Sequence, residues 1–588
     1  MWAVEPEVKN ILLRSSSLKE ARTGLFNYIN NAERALFKAH SKKPLKQIHP
    51  VEKNNAKECI RVFKNIIRAE NEHLTGFSAL NLLWKLAVKP EEAQEHAGEG
   101  FILELLYIFK GIKGQSELYD KKAGERAIKE TEKAGLIRSQ VLDKYSSLIN
   151  SSIQKYSSGL DESLVRKREG NKKRIMSYLK AEEKDWQNYR WHLKHIFQEL
   201  RPLKELINLE KDELEGLECA QKAAIPFQIT PYYLSLFNPE GRTGEDRTVR
   251  AQVIPSVNYC RTILESREKG QDMDFMGEKS TSPIDCITRR YPQILIIKPF
   301  DSCPQICVYC QRNWEIKNIG KGAVTGNKVQ KALDWIRRNP NITEVLVTGG
   351  DPLTLNNDYL VKLMESLSSM PHIERIRIGT RTPVTLPFRI NPGFISMLKK
   401  YHQWGTREVC IVTHVEHSSE ITPDVLEAIK KIKETGTNVY NQQVFTYYNS
   451  RRFETAALRR ALKISGIDPY YSFNTKGKAE TADFRVPIAR IEQERKEEAR
   501  LLPGMVRMDE PVFNVPKLGK SYLRAWQDHE VIMLLPDGRR VYRFYPWESR
   551  ILLTDTYLYT DVSIYDYLIR LHNDGESTAD YKSIWYYF

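Results

Sequence analysis

Apolar residues recur at helical spacing through the first 180 positions. Ala56–Ala69 and Phe77–Val88 show it most clearly, with Gly and Pro sparse around them, and the pattern predicts a helical region. The polar, serine-rich stretch Lys144–Asp161 is expected to hinge or cap it. Asp185–Phe197 (DWQNYRWHLKHIF) reads as an aromatic amphipathic helix. After Arg290 the period changes. Six short β-branched or aromatic runs follow: Ile294–Pro299, Glu344–Thr348, Arg375–Gly379, Glu408–Thr413, Thr437–Phe445 and Pro469–Phe473. Helical segments such as Asn327–Arg338, Leu360–Ser369, Pro423–Thr435 and Thr455–Ser465 separate most of them. Alternating strands and helices predict a parallel sheet. Six such units predict an α/β fold, an incomplete (β/α)6 barrel, with its chemistry at the C-terminal ends of the strands. Beyond Arg500 the pattern breaks. Val531–Tyr545 reads as a hairpin about Pro536-Asp537-Gly538. The aromatic tail through Phe588 is expected to be packed, because so many exposed Tyr and Trp would be unusual. The chain thus divides into an α-helical N-terminal domain (1–180), a helical lead-in (181–290), the partial barrel (291–505) and a small C-terminal region containing β-structure (506–588).

Composition narrows this picture. Of 588 residues 41% are hydrophobic and 28% charged, which excludes a disordered chain. The longest apolar run, Phe101–Phe109, is interrupted by Glu104 and is too short to span a membrane. The start, MWAVEPEVKN, lacks the basic-then-apolar layout of a signal peptide. A cytoplasmic protein with no membrane partner is expected. The net charge is +15, and residues 1–180 hold most of it, with 33 Lys and Arg against 22 Asp and Glu. No nucleic-acid-binding motif accompanies the excess, so it is read as a solvated helical surface and not as a nucleic-acid site. Eight cysteines are no disulfide framework at this length. Cys59, Cys219, Cys260, Cys286 and Cys410 are scattered and read as small core residues; the other three fall within eight positions.

Those three, Cys303, Cys307 and Cys310 in PFDSCPQICVYCQRNW, are spaced C-x3-C-x2-C directly after the first strand run. Iron–sulfur clusters are normally held by four thiolates. Three leave one iron of a [4Fe–4S] cube open to chelate S-adenosylmethionine, and the radical chemistry is then the cofactors' own. A zinc site would want a fourth Cys or His nearby, and Tyr309 and Gln311 are neither. The fold expected is therefore a radical S-adenosylmethionine barrel. Tyr309 is placed to stack on the adenine. The segment Thr348–Pro352 (TGGDP) ends the second strand, where Gly349 and Gly350 let the backbone approach a ligand closely. Asp351, Arg381 and Gln442 are read with them as cofactor-binding residues.

With these residues in view, the chain resembles the lysine 2,3-aminomutase family from about Asp185 to Trp547. ITPYYLSLFNP (Ile229–Pro239), TRRYP (Thr288–Pro292), RIGTRTPVTLPFRI (Arg377–Ile390), THVEHSSEIT (Thr413–Thr422) and PYYSFN (Pro469–Asn474) are similar to family segments and stand in the family's order. The resemblance implies pyridoxal 5′-phosphate as a further cofactor, bound through a late lysine. The family's Pro-Gly-Gly-Gly-Gly-Lys corresponds to PKLGK, which makes that lysine Lys520, with Lys517 as a competitor. It also implies that Arg290 and Tyr291 meet the cofactor phosphate and that Arg312 grips the substrate carboxylate. The family's second phosphate arginine is Ile294 here, and no cysteine follows Cys410 to hold a structural zinc.

The implied reaction moves the α-amino group of an amino acid to its β-carbon. Two aspartates expected to hold a lysine ammonium correspond to Lys476 and Asn514. An ammonium buried without an anion is costly, so the pair resembles the glutamate enzymes, and L-glutamate is the expected substrate. A lysine-type enzyme acting on free or protein-carried lysine stays open, as do a non-catalytic iron–sulfur protein and a nucleic-acid-modifying radical enzyme. The partners expected are a flavodoxin- or ferredoxin-type electron donor and further copies of the chain in a homo-oligomer.

Overall fold

A computed structural model describes residues 1–37, 48–118, 134–323, 326–475, 477–525, 528–551 and 555–588. They pack as two units. One comprises residues 151–485 and 499–519, the other 1–150, 486–498 and 520–588.

The first unit is built on a curled sheet. Strand β1 (Ile287–Thr288) pairs antiparallel with β2 (Ile294–Ile297). Then β3 (Glu344–Val347), β4 (Arg375–Gly379), β5 (Glu408–Thr413), β6 (Asn438–Phe445), β7 (Asp468–Asn474) and β8 (Glu510–Val515) follow side by side in chain order, all parallel. The six predicted strands are β2 to β7. Period-two alternation separates their faces. Leu295, Ile297, Val345, Val347, Ile376 and Ile378 point into a core shared with Leu333, Leu363, Leu398 and Ile429 of the crossover helices. The opposite face carries charge: Arg375 bridges Glu344 (2.9 Å) and Glu408 (2.6 Å), its neighbours in the register. The helices Gly326–Arg337, Asn357–Ser368, Pro392–Tyr401, Pro423–Lys433 and Glu454–Ile464 fill the connections. Their starts are set locally. Thr422 accepts the Val425 amide, Pro423 takes the first helical position, and Lys430, Lys431 and Lys433 sit in the last turn. The result is the expected incomplete barrel.

Some elements differ from the sequence pattern. Strand β8 adds a seventh parallel strand, held to the barrel by the buried Arg459–Asp509 pair (2.7 Å) and by Ser472 donating to Asp509 (2.6 Å). Asp185–Phe197 is not one helix but two short ones, Glu183–Trp186 and Tyr189–Lys194. Asn188 accepts the Arg190 amide (3.0 Å) and starts a second helix, while Phe197 leaves to bridge Ile229. The first half of Lys144–Asp161 is helical within Ala134–Ile153. Its second half docks: Gly159 donates to the Ser418 carbonyl (3.0 Å), and Ser418 donates to that of Ser157 (2.9 Å). Of the five scattered cysteines, Cys59, Cys260 and Cys410 are buried, but Cys219 and Cys286 are only half-buried.

Strand β9 (Gly519–Tyr522) begins at the last residue of this unit and continues into the other. That unit joins the N-terminal helices to the C-terminal region. Strands β10 (His529–Leu534), β11 (Arg540–Phe544) and β12 (Tyr557–Thr560) form an antiparallel sheet, the first two being the predicted hairpin. Its turn seats on the helix Glu99–Ile112. Gly98 donates to the Pro536 carbonyl (2.8 Å), and a Cβ on Gly100 would lie 2.6 Å from the Asp537 carbonyl oxygen. Glu104, the acid inside the longest apolar run, is buried and takes both arms of Arg540 at 2.9 Å. The aromatic tail is packed, with Tyr581, Trp585 and Tyr586 buried. Among the described residues no helix is long and apolar enough to cross a membrane.

Removing one member of a buried ion pair strands the other charge, whereas removing both does not. Arg540→Met should destabilise the second unit by about 3–5 kcal/mol, and adding Glu104→Leu should restore most of that. Hydrogen exchange at the β11 amides of the full chain reads this out; equal protection loss in single and double variants would contradict it.

Candidate active site

The loop leaving β2 carries the three clustered cysteines, all half-buried. It has little regular structure, so its polar backbone is satisfied from outside. Gln228 straps it: its Nε2 donates to the Cys303 carbonyl (2.7 Å), its Oε1 accepts from Ile319 (2.7 Å) and its carbonyl accepts from Ile306 (3.2 Å). The Val308 amide donates to the Gln252 carbonyl (2.8 Å) and that of Cys310 to Cys307 (3.0 Å). The buried Lys478 donates to the Cys310 carbonyl (3.2 Å) and pairs with Glu480 (2.8 Å).

Burial pushes the Cys303 thiol well up, and the Asp351 carboxylate adds to it. Burial raises Cys307 as well, against the pull of Arg381. Thiols so placed become thiolates only beside a cation that takes up their charge, as an iron–sulfur cube does. Among the described residues no three His, Cys, Asp or Glu side chains converge as ligands of a single ion would. A cube distributes its thiolates over separate irons, and the donor set fits it.

The turn after β3 lies directly on this loop. Gly349 has φ +123°, and a Cβ on Gly350 would stand 2.2 Å from the Ser302 carbonyl oxygen. Glycine is required here because backbone meets backbone: Gly350 donates to the Phe300 carbonyl (2.8 Å) and Asp351 to that of Ser302 (2.9 Å). The buried Asp351 carboxylate uses both oxygens on protein donors, namely Thr380 Oγ1 (2.6 Å) and the amides of Leu353 (3.0 Å), Arg381 (2.9 Å) and Thr382 (3.1 Å). It ties the ends of β3 and β4 together.

Arg381, just beyond β4, gathers the site. Its Nη1 donates to Cys307 Sγ (2.9 Å), its Nε to the His414 carbonyl (3.1 Å), and its Nη2 to Glu420 (2.6 Å), Tyr233 (3.3 Å) and Gln252. The Tyr309 hydroxyl reaches the same Gln252 oxygen (3.0 Å) and Glu416 (3.1 Å), and its ring packs edge-on to Phe484. Burial pushes the Glu416 carboxyl up to about 8. Gln442 stands half-buried on β6. The parts played by Tyr233, Gln252, Glu416, Glu420 and Lys478 were not read from the sequence. Glu416 and Glu420 had a signal, two acids four apart immediately after a strand; Gln252 and Lys478 had none.

Arg312 lies in a charge cluster. Its Nε donates to Glu278 (3.0 Å) and lies 3.5 Å from Glu315, while Lys298 pairs with Glu315 (3.0 Å) and Gln311 donates to Glu278 (2.8 Å). Burial alone would raise Glu278, but Arg312 and Lys298 bring it down to about 2. The two Nη nitrogens of Arg312 make no hydrogen bond among the described residues, so the end of the fork is open. Arg290 and Tyr291 precede β2, with Arg290 bound two residues before the Glu278 that pairs with Arg312. Arg290 donates through Nη2 to the Met276 carbonyl (2.6 Å), and its buried Nη1 has no partner among the described residues. Lys517 is exposed at φ +63°, against Gly277. Asn514 is half-buried on β8. Lys520 is half-buried in β9 and belongs to the other unit. Lys476 lies outside the described residues.

Gly350→Ala should drive the β3 turn off the loop at Ser302. Anaerobic reconstitution of that variant is expected to retain a minor fraction of the wild-type iron; full iron content would show that the close approach is dispensable.

The comparisons with known proteins agree with this geometry. The Radical SAM superfamily pattern matches residues 297–458. A glutamate 2,3-aminomutase of Clostridioides difficile is 38% identical over 54% of this chain and 72% of its own length. An L-lysine 2,3-aminomutase of Clostridium subterminale is 32% identical over 52% of this chain and 70% of its own. An uncharacterized KamA family protein of Methanocaldococcus jannaschii is 44% identical over 99% of this chain and 96% of its own. The last of these includes the N-terminal region that the aminomutase resemblance does not reach. Membership implies a [4Fe–4S] cluster and S-adenosylmethionine. The chain belongs to the KamA, or lysine 2,3-aminomutase, family of radical S-adenosylmethionine aminomutases.

Proposed function

We propose that this aminomutase acts on L-glutamate, moving its α-amino group to the β-carbon, with pyridoxal phosphate as a further cofactor. The observation that carries an amino acid substrate is Arg312. Carboxylates hold its Nε from behind, and its Nη pair stays free to take an α-carboxylate end-on. Cys303, Cys307 and Cys310 are the proposed cluster ligands. Tyr309, Gly349, Gly350 and Gln442 are proposed to flank S-adenosylmethionine. Asp351 and Arg381, with their polar atoms committed to protein partners, are proposed to shape that region and not to grip the cofactor. When bound, the cluster with S-adenosylmethionine supplies a hydrogen-abstracting radical, and pyridoxal phosphate supplies a conjugated path for the nitrogen.

The protein's own task is placement, an orientation effect. The unpartnered, buried Nη1 of Arg290 supports a phosphate there, with Tyr291 beside it in sequence. The resemblance supports Lys520 as the covalent attachment. Asn514 and Lys476 would receive a side-chain carboxylate, where the lysine enzymes are expected to present acids. The 38% identity to a glutamate 2,3-aminomutase, against 32% to a lysine enzyme, favours the same choice. A flavodoxin- or ferredoxin-type protein is proposed as the electron donor, and a homo-oligomer as the working form.

Reconstituted protein should convert glutamate to β-glutamate and leave lysine unchanged; comparable turnover of lysine would overturn the substrate choice. Arg312→Lys keeps the charge and loses the fork. A charge-assisted hydrogen bond is worth about 1.5–3 kcal/mol, so kcat/KM should fall roughly 10–100-fold. Borohydride reduction and peptide mapping should label Lys520. Label on Lys517 would reassign the attachment, and no label would remove pyridoxal phosphate from the reaction.

A further inference from the structure

One of the three thiols proposed as cluster ligands is in contact with a full positive charge. Arg381 Nη1 lies 2.9 Å from Cys307 Sγ. Among the described residues, Cys310 Sγ accepts a neutral donor, the Arg312 amide at 3.3 Å. The Arg381 guanidinium is buried and cannot swing away. Its Nε is bound to the His414 carbonyl and its Nη2 to Glu420, Tyr233 and Gln252. Glu420 is equally fixed. Its Oε1 accepts from Arg381 (2.6 Å) and the Tyr233 hydroxyl (2.7 Å), and its Oε2 from the amides of Glu416 (2.6 Å) and His417 (3.0 Å). The turn presenting those amides is held in place through Ser418, which Ser157 and Gly159 clasp.

We propose that Arg381 sets the reduction potential of the cluster through Cys307, and that Glu420 tempers that effect. The proposal rests on Cys303, Cys307 and Cys310 as the ligands. Reduction moves one electron from a low-potential one-electron donor protein onto the oxidised cluster, with no bond made or broken and no proton transferred. The cluster gains negative charge. A cation and an N–H···S hydrogen bond at a ligand sulfur stabilise the reduced form and raise the potential. A carboxylate paired with that cation offsets part of its field, and burial keeps solvent from screening either charge. Arg381 is thus a positioning residue with an electrostatic role, and Glu420 acts on the cluster only through it.

The two charges give the test opposite signs. The full chain is reconstituted anaerobically with iron and sulfide, without S-adenosylmethionine, and titrated with redox mediators while the reduced-cluster EPR signal is followed. Arg381→Gln should shift the midpoint potential down, and Glu420→Gln should shift it up. In wild-type protein carrying arginine labelled with 15N in the guanidinium group, pulsed EPR of the reduced cluster should show a coupled 15N that Arg381→Lys abolishes. Unchanged potentials, shifts of the same sign in both variants, or no 15N coupling would overturn the proposal. Should Arg381→Gln fail to take up iron, Glu420→Gln and the wild-type spectrum decide it. Wild-type protein that binds no iron would remove the ligand assignment itself, and the proposal with it.

Discussion

The loop after β2 must present three sulfurs without the help of regular structure, and each neighbouring element is arranged around that constraint. A loop of this kind exposes polar backbone that water or protein must satisfy. Here protein does so. Gln228 straps both ends of the cysteine segment, the Gln252 carbonyl accepts from Val308, Lys478 donates to the carbonyl of Cys310, and the glycine turn after β3 lies against Ser302. The barrel's part is to bring these groups, far apart in sequence, to one end of one sheet. Parallel strands do this because every strand leaves the sheet at the same end.

Around that loop, charge is buried in matched sets. Arg381 meets Glu420, Lys478 meets Glu480, and Arg312 with Lys298 meets Glu278 with Glu315. A lone buried charge would be too costly, so each set is close to neutral, and its geometry and not its net charge determines what a ligand meets. Arg312 illustrates this. With carboxylates on Nε, its guanidinium is held in one plane and offers its far edge. The same logic runs through the other unit, where Glu104 and Arg540 join an N-terminal helix to the C-terminal sheet.

The fold was legible in the sequence to the extent that its period was local. Strands β2 to β7 and four of the helices between them follow from alternation and helical spacing, because each face meets a single environment. The hairpin followed from its Pro-Asp-Gly turn. Periodicity failed where a competing local bond intervened, as when Asn188 restarted a helix. It also missed β8, which pairs with β7 beside the buried, sequence-distant Arg459–Asp509 pair.

The cysteine triad and the glycine pair could be named from residue type and spacing, since cluster ligation requires those chemistries in that order along the chain; Arg312 was named only through the family resemblance. What Gly350 and Asp351 touch could not be known in advance. The nearest neighbour of Gly350 is the backbone of Ser302 nearly fifty residues earlier, and the Asp351 partners Thr380, Arg381 and Thr382 lie about thirty residues on, past another strand. Nor could sequence disclose that Arg381 reaches Cys307 or that Lys478 lies beneath Cys310. Those contacts join different strand ends, and only the curling of the sheet into a partial barrel sets the distance between them.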